Sequence, residues 1–446
     1  MPPDMSTSTD NHPTPPPGFS AATWQFVCSH RTPEADVTRL MLSASRHPQV
    51  DMHQAAGQIA GWQAARRKLP AWAATEGMLY PPHLALEQCS GEPAARYKAR
   101  LAHRLLEQAA QAEGAARTDG SGTLLVDLTG GFGVDFSYMA RAASRAVYVE
   151  RQETLCRCAR HNFPLLGLGE NVQVVCAQAE DYLEAMPATA DLIYLDPARR
   201  DAAGSRVSAL HDCTPDCIGL LPLLRRKTRR CLLKLAPMLD LSEALRAFEG
   251  MVQEAHVVSA GGECKELLLA LNTRPAPDEK LPATDDVPLT AVDLRSGTPP
   301  RFFRFTRREE QASSCTCTPP RPGTDTFLYE PGSALLKAGA LRLPAARWGL
   351  RKISPDSHLY LGTERIEDFP GRCFRLDDCG GMGKAELKRL LAGVTKGNLT
   401  VRGFPATVAE LRRKLRLKEG GDLYFFAATA PDGSRILLRC HKPDEE

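Results

Sequence analysis

Apolar residues in the first part of the chain follow a helical period. From about Ala21 to Ala116 the pattern is helical, with many Ala, Leu, Gln, Glu and Arg residues, and in the stretch that starts at Pro93 the apolar positions recur at three- and four-residue steps. Pro is favoured in the first turn of a helix, as at the start of this stretch. Residues 19–118 are therefore predicted to form a helical domain. The Pro-rich tail before it, residues 1–18, has no apolar period and is predicted to be disordered.

A second pattern begins near Thr123. Short runs of Leu and β-branched residues alternate with amphipathic stretches, and strands that alternate with helices predict a parallel sheet covered on both faces. The last two runs lie close together around Gly261 and Gly262, a spacing that predicts an antiparallel pair. The predicted strands cover residues 124–128, 146–149, 172–176, 192–195, 231–235, 257–259 and 267–271. The predicted fold class is therefore α/β, with a Rossmann-like sheet of five parallel strands and a closing hairpin within residues 119–274.

Beyond this sheet the chain is predicted to form small α+β modules. Residues 275–326 contain two linkers, rich in Pro and Asp and then in Ser, Cys, Thr and Pro, with a strand-like segment between them. One module is predicted over residues 327–372 and a second over residues 373–446. The elements predicted in the second module are helices at 384–391 and 407–415, and a hairpin of residues 422–428 and 435–441 that turns through Pro431-Asp-Gly433.

Composition narrows the class of protein without naming a substrate. A hydrophobic fraction of 43% and a net charge of +3 over 446 residues are typical of a soluble globular chain. The N-terminus lacks the basic and then apolar run of a secretory signal, and no apolar run approaches the ~20 residues that cross a bilayer. The 14 cysteines include no pair of Cys-x2-Cys knuckles. Reduced thiols in a cytoplasmic protein without a metal site are therefore predicted.

The turn after the first predicted strand has the composition of a cofactor-binding loop. Asp127 lies near the end of the strand, and the turn Thr129-Gly-Gly-Phe-Gly133 follows. Glycine permits both a tight bend and a close approach of the backbone to a ligand. Glu150 lies at the end of the next strand, about 20 residues beyond the glycines, where a carboxylate can accept hydrogen bonds from both hydroxyls of a ribose. Asp127 is placed to bind the ammonium group of an amino-acid moiety.

Together these features favour S-adenosyl-L-methionine (SAM) as the cofactor. The alternative, a nicotinamide dinucleotide, needs a third glycine for helix packing, and Phe136 occupies that position. The loop after the third strand is expected to receive the adenine, and it offers Gln178 where an acidic side chain is usual. The residues predicted to bind the cofactor are Asp127, Thr129, Gly130, Gly131, Gly133, Glu150, Gln178, Glu180 and Asp181.

The segment that ends the fourth strand, Asp196-Pro-Ala-Arg-Arg200, is the predicted acceptor site, because ligands of doubly wound folds bind outside the carboxyl ends of the strands. In aminomethyltransferases an Asp-Pro-Pro-aromatic loop holds a flat base. Arg199 replaces the aromatic residue here, which argues against methylation of an exocyclic amine, and an arginine can instead stack on a base or bind a phosphate. The predicted catalytic residues are Asp196, Pro197, Arg199 and Lys234.

Cys264 leaves two interpretations open. Asp-Pro-x-Arg loops also occur in pyrimidine C5-methyltransferases, which need a cysteine nucleophile to activate the ring. Cys264, after the sixth predicted strand, is the one cysteine in a suitable place in the sequence. The alternative is a structural thiol at the base of a hairpin.

Seven segments carry a more specific signal than the fold. They are residues 86–92 (LEQCSGE), 127–135 (DLTGGFGVD), 195–200 (LDPARR), 233–240 (LKLAPMLD), 263–267 (ECKEL), 329–340 (YEPGSALLKAGA) and 403–415 (GFPATVAELRRKL). These segments resemble a bacterial family of class I SAM-dependent methyltransferases with a THUMP-like C-terminal domain. The resemblance covers roughly residues 80–443. It implies a ferredoxin-like module at residues 327–372, a THUMP-like domain at residues 373–446, and RNA as a partner.

Charge between Lys384 and Lys418 is strongly biased. Ten Lys or Arg residues are opposed only by Glu386 and Glu410. Such a cluster is usually a solvated helix face, but beside a methyltransferase core it favours contacts with RNA phosphates. The sequence therefore predicts a cytoplasmic SAM-dependent methyltransferase that acts on an RNA base. Two alternatives stay open: a protein or small-molecule acceptor, and a SAM- or RNA-binding module whose catalytic loop has decayed.

Overall fold

The computed structural model describes residues 14–81, 83–113, 122–199, 210, 213–275, 279–295, 297–321 and 325–443. The chain divides into two compact units, one of Met1–Lys234 with Leu271–Glu279 and one of Leu235–Ala270 with Lys280–Glu446. Most of the tail predicted to be disordered lies outside the described residues. Within the described ranges, no helix combines the length and the apolar composition that a bilayer span requires.

The first unit opens with helices, as the helical period predicts. They are α1 (Ala21–His30), α2 (Val37–Leu42), α3 (Met52–Lys68), α4 (Pro70–Ala74), α5 (His83–Gln88) and α6 (Glu92–Glu113). The side chains of Ser20, Asp36 and Asp51 each accept a hydrogen bond from the first turn of the helix that follows them. Each therefore pairs a backbone N–H that has no partner within the helix. Trp24 and Trp72 are almost fully buried in the cores of this helical region.

Alternating strands and helices follow in the first unit. They are β1 (Leu124–Asp127), α7 (Val134–Met139), β2 (Arg145–Glu150), α8 (Glu153–Leu165), β3 (Val172–Cys176), α9 (Ala179–Ala185), β4 (Leu192–Leu195), β5 (Ala198–Arg199), β6 (Cys213–Thr214), α10 (Leu221–Lys227) and β7 (Arg230–Leu235). Strands β7, β4, β1, β2 and β3 lie side by side in that order, and all neighbours are parallel. The short strands β5 and β6 pair antiparallel with each other. The predicted Rossmann-like sheet of five parallel strands is confirmed.

The second unit contains most of the predicted closing hairpin. Its first elements are α11 (Leu241–Ala247), β8 (Val252–Ala260), β9 (Glu263–Asn272), β10 (Leu289–Leu294), β11 (Arg301–Phe305) and α12 (Arg307–Ala312). Neighbouring strands β8 and β9 are joined by Gly261 and Gly262, whose φ angles of +62° and +84° suit a two-residue turn. The strand-like segment between the linkers consists of β10, which is parallel to β8, and β11, which is antiparallel to β10.

The rest of the second unit is a separate seven-stranded sheet. Its elements are β12 (Phe327–Pro331), α13 (Ser333–Ala338), α14 (Leu343–Trp348), β13 (Arg351–Lys352), β14 (Tyr360–Gly362), β15 (Gly371–Gly381), α15 (Lys384–Leu390), β16 (Asn398–Arg402), α16 (Val408–Leu415), β17 (Leu423–Thr429) and β18 (Arg435–His441). The strand order is β13-β14-β12-β15-β18-β17-β16. The predicted terminal hairpin is present as the antiparallel pair β17 and β18.

Strand β15 joins the two parts of this sheet. Its first half, from Gly371 to Arg375, pairs with β12, and the following residues pair with β18 after an irregularity between Leu376 and Asp378. The boundary predicted between the two C-terminal modules, after Arg372, therefore falls inside a continuous strand.

Candidate active site

The carboxyl ends of three parallel strands bring the main predicted site residues to one edge of the sheet. Asp127 is the last residue of β1 and Glu150 the last of β2, while Asp196 directly follows β4. Because β2, β1 and β4 are adjacent and parallel, their carboxyl ends lie together.

Thr129 connects the ends of β1 and β4. Its backbone N–H and its hydroxyl donate to Asp127 Oδ1 at 2.9 and 3.3 Å. Thr129 Oγ1 also accepts a hydrogen bond from the backbone N–H of Asp196 at 2.6 Å. This one side chain therefore fixes the predicted cofactor loop to the predicted acceptor loop.

The glycines of the loop are required by the aromatic side chains beneath them. A Cβ at Gly130 would lie 2.2 Å from Cε2 of Tyr148 in β2, and a Cβ at Gly133 would lie 2.8 Å from Cε1 of Phe163 in α8. Gly131 and Gly133 have φ angles of +55° and +85°, which residues with a side chain rarely adopt. The Tyr148 hydroxyl donates to the Gly131 carbonyl. The loop therefore packs directly against β2 and α8.

Glu150 is held in place by two backbone donors. Its Oε2 accepts from the Gly131 N–H and its Oε1 from the Gln152 N–H, both at 2.9 Å. Each carboxylate oxygen has two lone pairs, so each can accept one more hydrogen bond. A buried carboxylate with two remaining acceptor positions fits the two hydroxyls of a ribose.

Asp127 is the group that most clearly fits a cationic ligand. Only 1% of the residue is exposed. Burial raises the pKa of its carboxyl well above the ordinary value; nearby Asp135 and Asp196 add to this rise, and hydrogen bonds from Thr129 offset only part of it. An ammonium group bound to Asp127 would compensate the ionised carboxylate. The donor set of Asp127 and Glu150 therefore fits the amino-acid end and the ribose of SAM.

The loop predicted to receive the adenine lies next to Glu150 in the structure. Strand β3 pairs with β2 so that Cys176 is opposite Glu150, and the Ala177 N–H donates to the Glu150 carbonyl at 3.1 Å. Gln178, exposed, takes the N-cap position of α9 without using its side chain as a cap. Glu180 is half-buried and Asp181 is exposed in the first turn of that helix.

The predicted acceptor residues Asp196 and Lys234 form an ion pair. Lys234 Nζ in β7 lies 2.5 Å from Asp196 Oδ2. Pro197 follows, half-buried, and leads into β5. The backbone of Arg199 pairs with Cys213 in β6, whereas its side chain, and Arg200 after it, lie outside the described residues.

A buried polar network that sequence reasoning missed lies against this ion pair. Asp135 Oδ2 accepts from Ser90 Oγ at 2.8 Å and from the Tyr194 hydroxyl at 2.9 Å. Lys98 Nζ of α6, which is fully buried, lies 3.3 Å from Asp135 Oδ1 and donates to Ser90 Oγ at 3.0 Å. Lys234 Nζ is 3.8 Å from Asp135 Oδ2.

This network keeps Asp135 ionised despite its burial. Burial raises the pKa of its carboxyl, but the ammonium groups of Lys98 and Lys234 and the hydrogen bonds from Ser90 and Tyr194 lower it further than burial raises it. The pKa of Asp135 therefore lies below its ordinary value. In the sequence, the one indication of this network is that Ser90 and Asp135 lie within two of the segments that carry the family resemblance.

Cys264 has the electrostatics of a structural thiol. It lies in β9, in the second unit, and is partly buried. Burial raises the pKa of its thiol to about 11, even though Lys337 lowers it. A nucleophilic cysteine needs a lowered pKa, so this environment favours the structural interpretation.

Two family models match the C-terminal part of the chain. A ferredoxin-like domain model matches residues 327–370, and a THUMP domain-like model matches residues 371–442. Their junction coincides with the start of β15.

The chain is also similar over most of its length to known proteins. The crystal structure of a candidate methyltransferase from Porphyromonas gingivalis W83 superposes with a TM-score of 0.77, at 35% sequence identity over 94% of this chain and 98% of that chain. An uncharacterised S-adenosylmethionine-dependent methyltransferase of Mycobacterium tuberculosis, from strain CDC 1551 and again from strain H37Rv, is 28% identical over 339 residues, which are 75% of this chain and 80% of the relative.

Proposed function

We propose that this chain, which belongs to a bacterial family of class I SAM-dependent methyltransferases with a THUMP-like C-terminal domain, methylates a base in RNA. Membership of the family makes it an enzyme that uses SAM. The RNA substrate is our proposal, and one observation carries it: the positive charge that the THUMP-like region exposes.

The exposed charge is concentrated on and near α15 and α16. The exposed members of the ten basic residues are Lys384, Lys388, Arg389, Lys396, Arg413, Lys414, Arg416 and Lys418. The other two have internal roles, since Arg402 pairs with the buried Glu330 at 2.8 Å and Arg412 donates to the Gly397 carbonyl at 3.3 Å. Clustered exposed cations provide sequence-independent affinity for phosphates.

Within the cofactor site, the roles of the side chains follow from their chemistry. SAM, when bound, supplies a methyl group on a sulfonium, and an acceptor atom displaces the sulfur in line. We assign Asp127 to the ammonium of the cofactor and Glu150 to its ribose, with Gln178 accepting from the adenine amino group. Thr129, Gly130, Gly131 and Gly133 shape the loop that carries Asp127. We place Glu180 and Asp181 beside the adenine.

The acceptor loop contributes mainly orientation, which is what an in-line displacement requires from a protein. We assign the Asp196 carboxylate to accept a hydrogen bond from the target base, and Lys234 holds this carboxylate in position. Pro197 restricts the backbone of the loop. Arg199 is assigned to stacking on the base or to a phosphate of the RNA.

We also propose a domain organisation for this function. A tail (1–18) and a helical domain (19–118) precede the methyltransferase domain (119–274). The segment 275–326 leads to a ferredoxin-like module (327–372) and a THUMP-like domain (373–446). The helical domain and the C-terminal modules bind the RNA, and the central domain transfers the methyl group.

RNA binding can be tested with a matched pair of charge reversals. Arg413→Glu with Lys414→Glu alters the last turn of α16, and the control Arg225→Glu with Arg226→Glu alters the last turn of α10, so both pairs have a similar effect on a helix dipole. Affinity for total cellular RNA should fall with rising salt for the wild type, and should fall about tenfold or more in the α16 variant alone. Salt-independent binding, or equal losses of RNA affinity in the two variants, would show that this surface does not bind RNA.

The acceptor can be tested by mass spectrometry of digested RNA from wild-type and deletion strains. One methylated nucleoside should be missing from the deletion strain and return with the wild-type gene. Unchanged nucleosides together with intact SAM binding would favour a protein or small-molecule acceptor, or a module without transferase activity.

A further inference from the structure

Three side chains with metal-binding atoms converge outside the residues assigned to the cofactor. They are Glu153 and Cys156 in the first turns of α8, and Cys176 at the end of β3. One ligand atom of each lies within 4.8 Å of the corresponding atoms of the other two. We propose that Glu153, Cys156 and Cys176 form a binding site for Zn²⁺.

The fold positions these ligands before any ion binds. Glu153 and Cys156 are three residues apart in a helix and therefore share one face. The Cys156 thiol donates to the Glu150 carbonyl, with Sγ 3.2 Å from the oxygen, and the Cys176 thiol donates to the Arg151 carbonyl at 3.7 Å. Both sulfur atoms are thus placed by the short connection between β2 and α8.

The carboxylate is also oriented. Arg160 Nη1 donates to Glu153 Oε1 at 2.8 Å. A carboxylate can keep this hydrogen bond and still bind an ion through its other lone pairs. Glu153 also has a hydrogen bond with the Cys176 thiol, and Zn²⁺ would replace the proton of that bond, because the two thiols are deprotonated when they bind the metal.

The donor set selects a class of ion. Thiolates bind Zn²⁺ at about 2.3 Å and carboxylates bind it at about 2.0–2.2 Å, whereas Mg²⁺ and Ca²⁺ require oxygen ligands. In a tetrahedral site two sulfur atoms bound to one Zn²⁺ lie about 3.8 Å apart, and the ligand atoms here lie within 4.8 Å of one another, so a closure of about 1 Å or less is sufficient. Glu153 and Cys176 are exposed, which lets an ion enter and leaves a fourth position for water.

A disulfide between Cys156 and Cys176 is the alternative, but it would not account for the Glu153 carboxylate that lies beside both thiols. The spacing in the sequence, Glu-x2-Cys with the second cysteine 20 residues later, matches no zinc knuckle, which is why sequence analysis predicted no metal. The site is independent of the proposed RNA substrate, and its failure would leave that function unaffected.

The test uses the full-length chain, reduced and freed of metal, in the absence of cofactor. Zn²⁺ is titrated by calorimetry, and Cd²⁺ is added as a probe because its bond to a thiolate gives an ultraviolet charge-transfer band. The main variant is Cys176→Ser, because this residue is exposed and its replacement leaves the core intact, whereas Cys156 is fully buried. Glu153→Gln tests the carboxylate, and Cys28→Ser, which removes a thiol elsewhere in the first unit, is the control.

The wild type and Cys28→Ser should each bind one Zn²⁺ tightly. Affinity should fall about a hundredfold or more in Cys176→Ser and about tenfold in Glu153→Gln, and the first equivalent of Cd²⁺ should lose about half of its charge-transfer intensity in Cys176→Ser. Absence of tight binding in the reduced wild type would overturn the proposal. Equal affinity in the wild type and Cys176→Ser would do so as well.

Discussion

The ammonium group of Lys234 lies 2.5 Å from Asp196 Oδ2. The two residues come from adjacent parallel strands, since β7 pairs with β4 and Asp196 follows the last residue of β4. Lys234 is also 3.8 Å from Asp135, which in turn interacts with Lys98. The carboxylate assigned to the acceptor is thus connected through two lysines to the helix α6.

Asp196→Ala should abolish methyl transfer and leave SAM affinity within a few fold. The side chain is assigned to the acceptor, and loss of an orienting group costs on the order of a hundredfold or more in rate. Single-turnover transfer to RNA and calorimetric titration of SAM measure the two effects separately. Equal loss of affinity and of rate would show that Asp196 acts through the cofactor site.

Lys98→Met should destabilise the chain by about 3–5 kcal/mol, because it leaves the buried Asp135 without one of its two cations. Urea unfolding measures this loss. The double variant Lys98→Met with Asp135→Asn should lose less than the sum of the single variants, since the charge and its partner are removed together. Arg100→Met, at an exposed position of α6, should stay within about 0.5 kcal/mol of the wild type. Additive losses in the double variant would show that Lys98 and Asp135 do not interact energetically.

Cys264→Ser should retain transfer activity. Because burial raises the pKa of this thiol to about 11, little thiolate is present at neutral pH. Methylation rates of wild type and variant, measured on the same RNA, should agree within a few fold. A loss of more than a hundredfold, together with a covalent protein–RNA adduct in the wild type alone, would identify Cys264 as a nucleophile.

The strands were predictable because they are short and rich in apolar and β-branched residues. Residues 172–176 and 192–195 have the predicted bounds, while β8 and β9 are several residues longer than predicted. Both contain polar residues, such as Glu254 and Lys265, that hide the strand ends from a search for apolar runs. For β10 the sequence predicted only a strand-like segment, because its pairing with β8 cannot be deduced from local composition.

The residues of the candidate site also fall into two groups, those that the sequence could place together and those that it could not. Asp127, Glu150 and Asp196 could be placed together because the ends of adjacent parallel strands meet. Lys98 and Ser90 could not, because their contact with Asp135 depends on how α6 packs near α7, and a lysine within an amphipathic helix ordinarily reads as exposed. Cys156 and Cys176 likewise become neighbours only through the pairing of β2 with β3.

Affinity for the cofactor should rise with pH because of Asp127. Burial holds the pKa of its carboxyl well above the ordinary value, so the folded protein without ligand keeps a proton there as the pH rises past that value. Binding of an ammonium favours the ionised form, so the proton is released on binding and affinity increases until the pH passes the raised pKa. Calorimetry of S-adenosylhomocysteine in buffers with different ionisation enthalpies measures this proton release.

The control for this titration is Asp127→Asn. The variant should bind about tenfold or more weakly, and its affinity should no longer depend on pH in the acid range. An unchanged proton release in Asp127→Asn would assign the titration to another group.

Gly130→Ala should weaken the fold and the cofactor site together. The alanine methyl group would lie 2.2 Å from the ring of Tyr148, which is buried and whose hydroxyl donates a hydrogen bond to the Gly131 carbonyl. A shift of the ring or of the loop would therefore also move the Gly131 N–H, which donates to Glu150. Overpacking of this kind costs about 1–3 kcal/mol, to be measured by urea unfolding.

The matched control is Gly57→Ala in α3, where a Cβ meets nothing within 4 Å and alanine should stabilise the helix by about 0.5–1 kcal/mol. Because the displaced N–H orients Glu150, SAM affinity should fall in Gly130→Ala and stay constant in Gly57→Ala. A Gly130→Ala protein with wild-type stability and affinity would show that the loop adapts, and that its glycines serve the approach of the ligand instead of the packing on Tyr148.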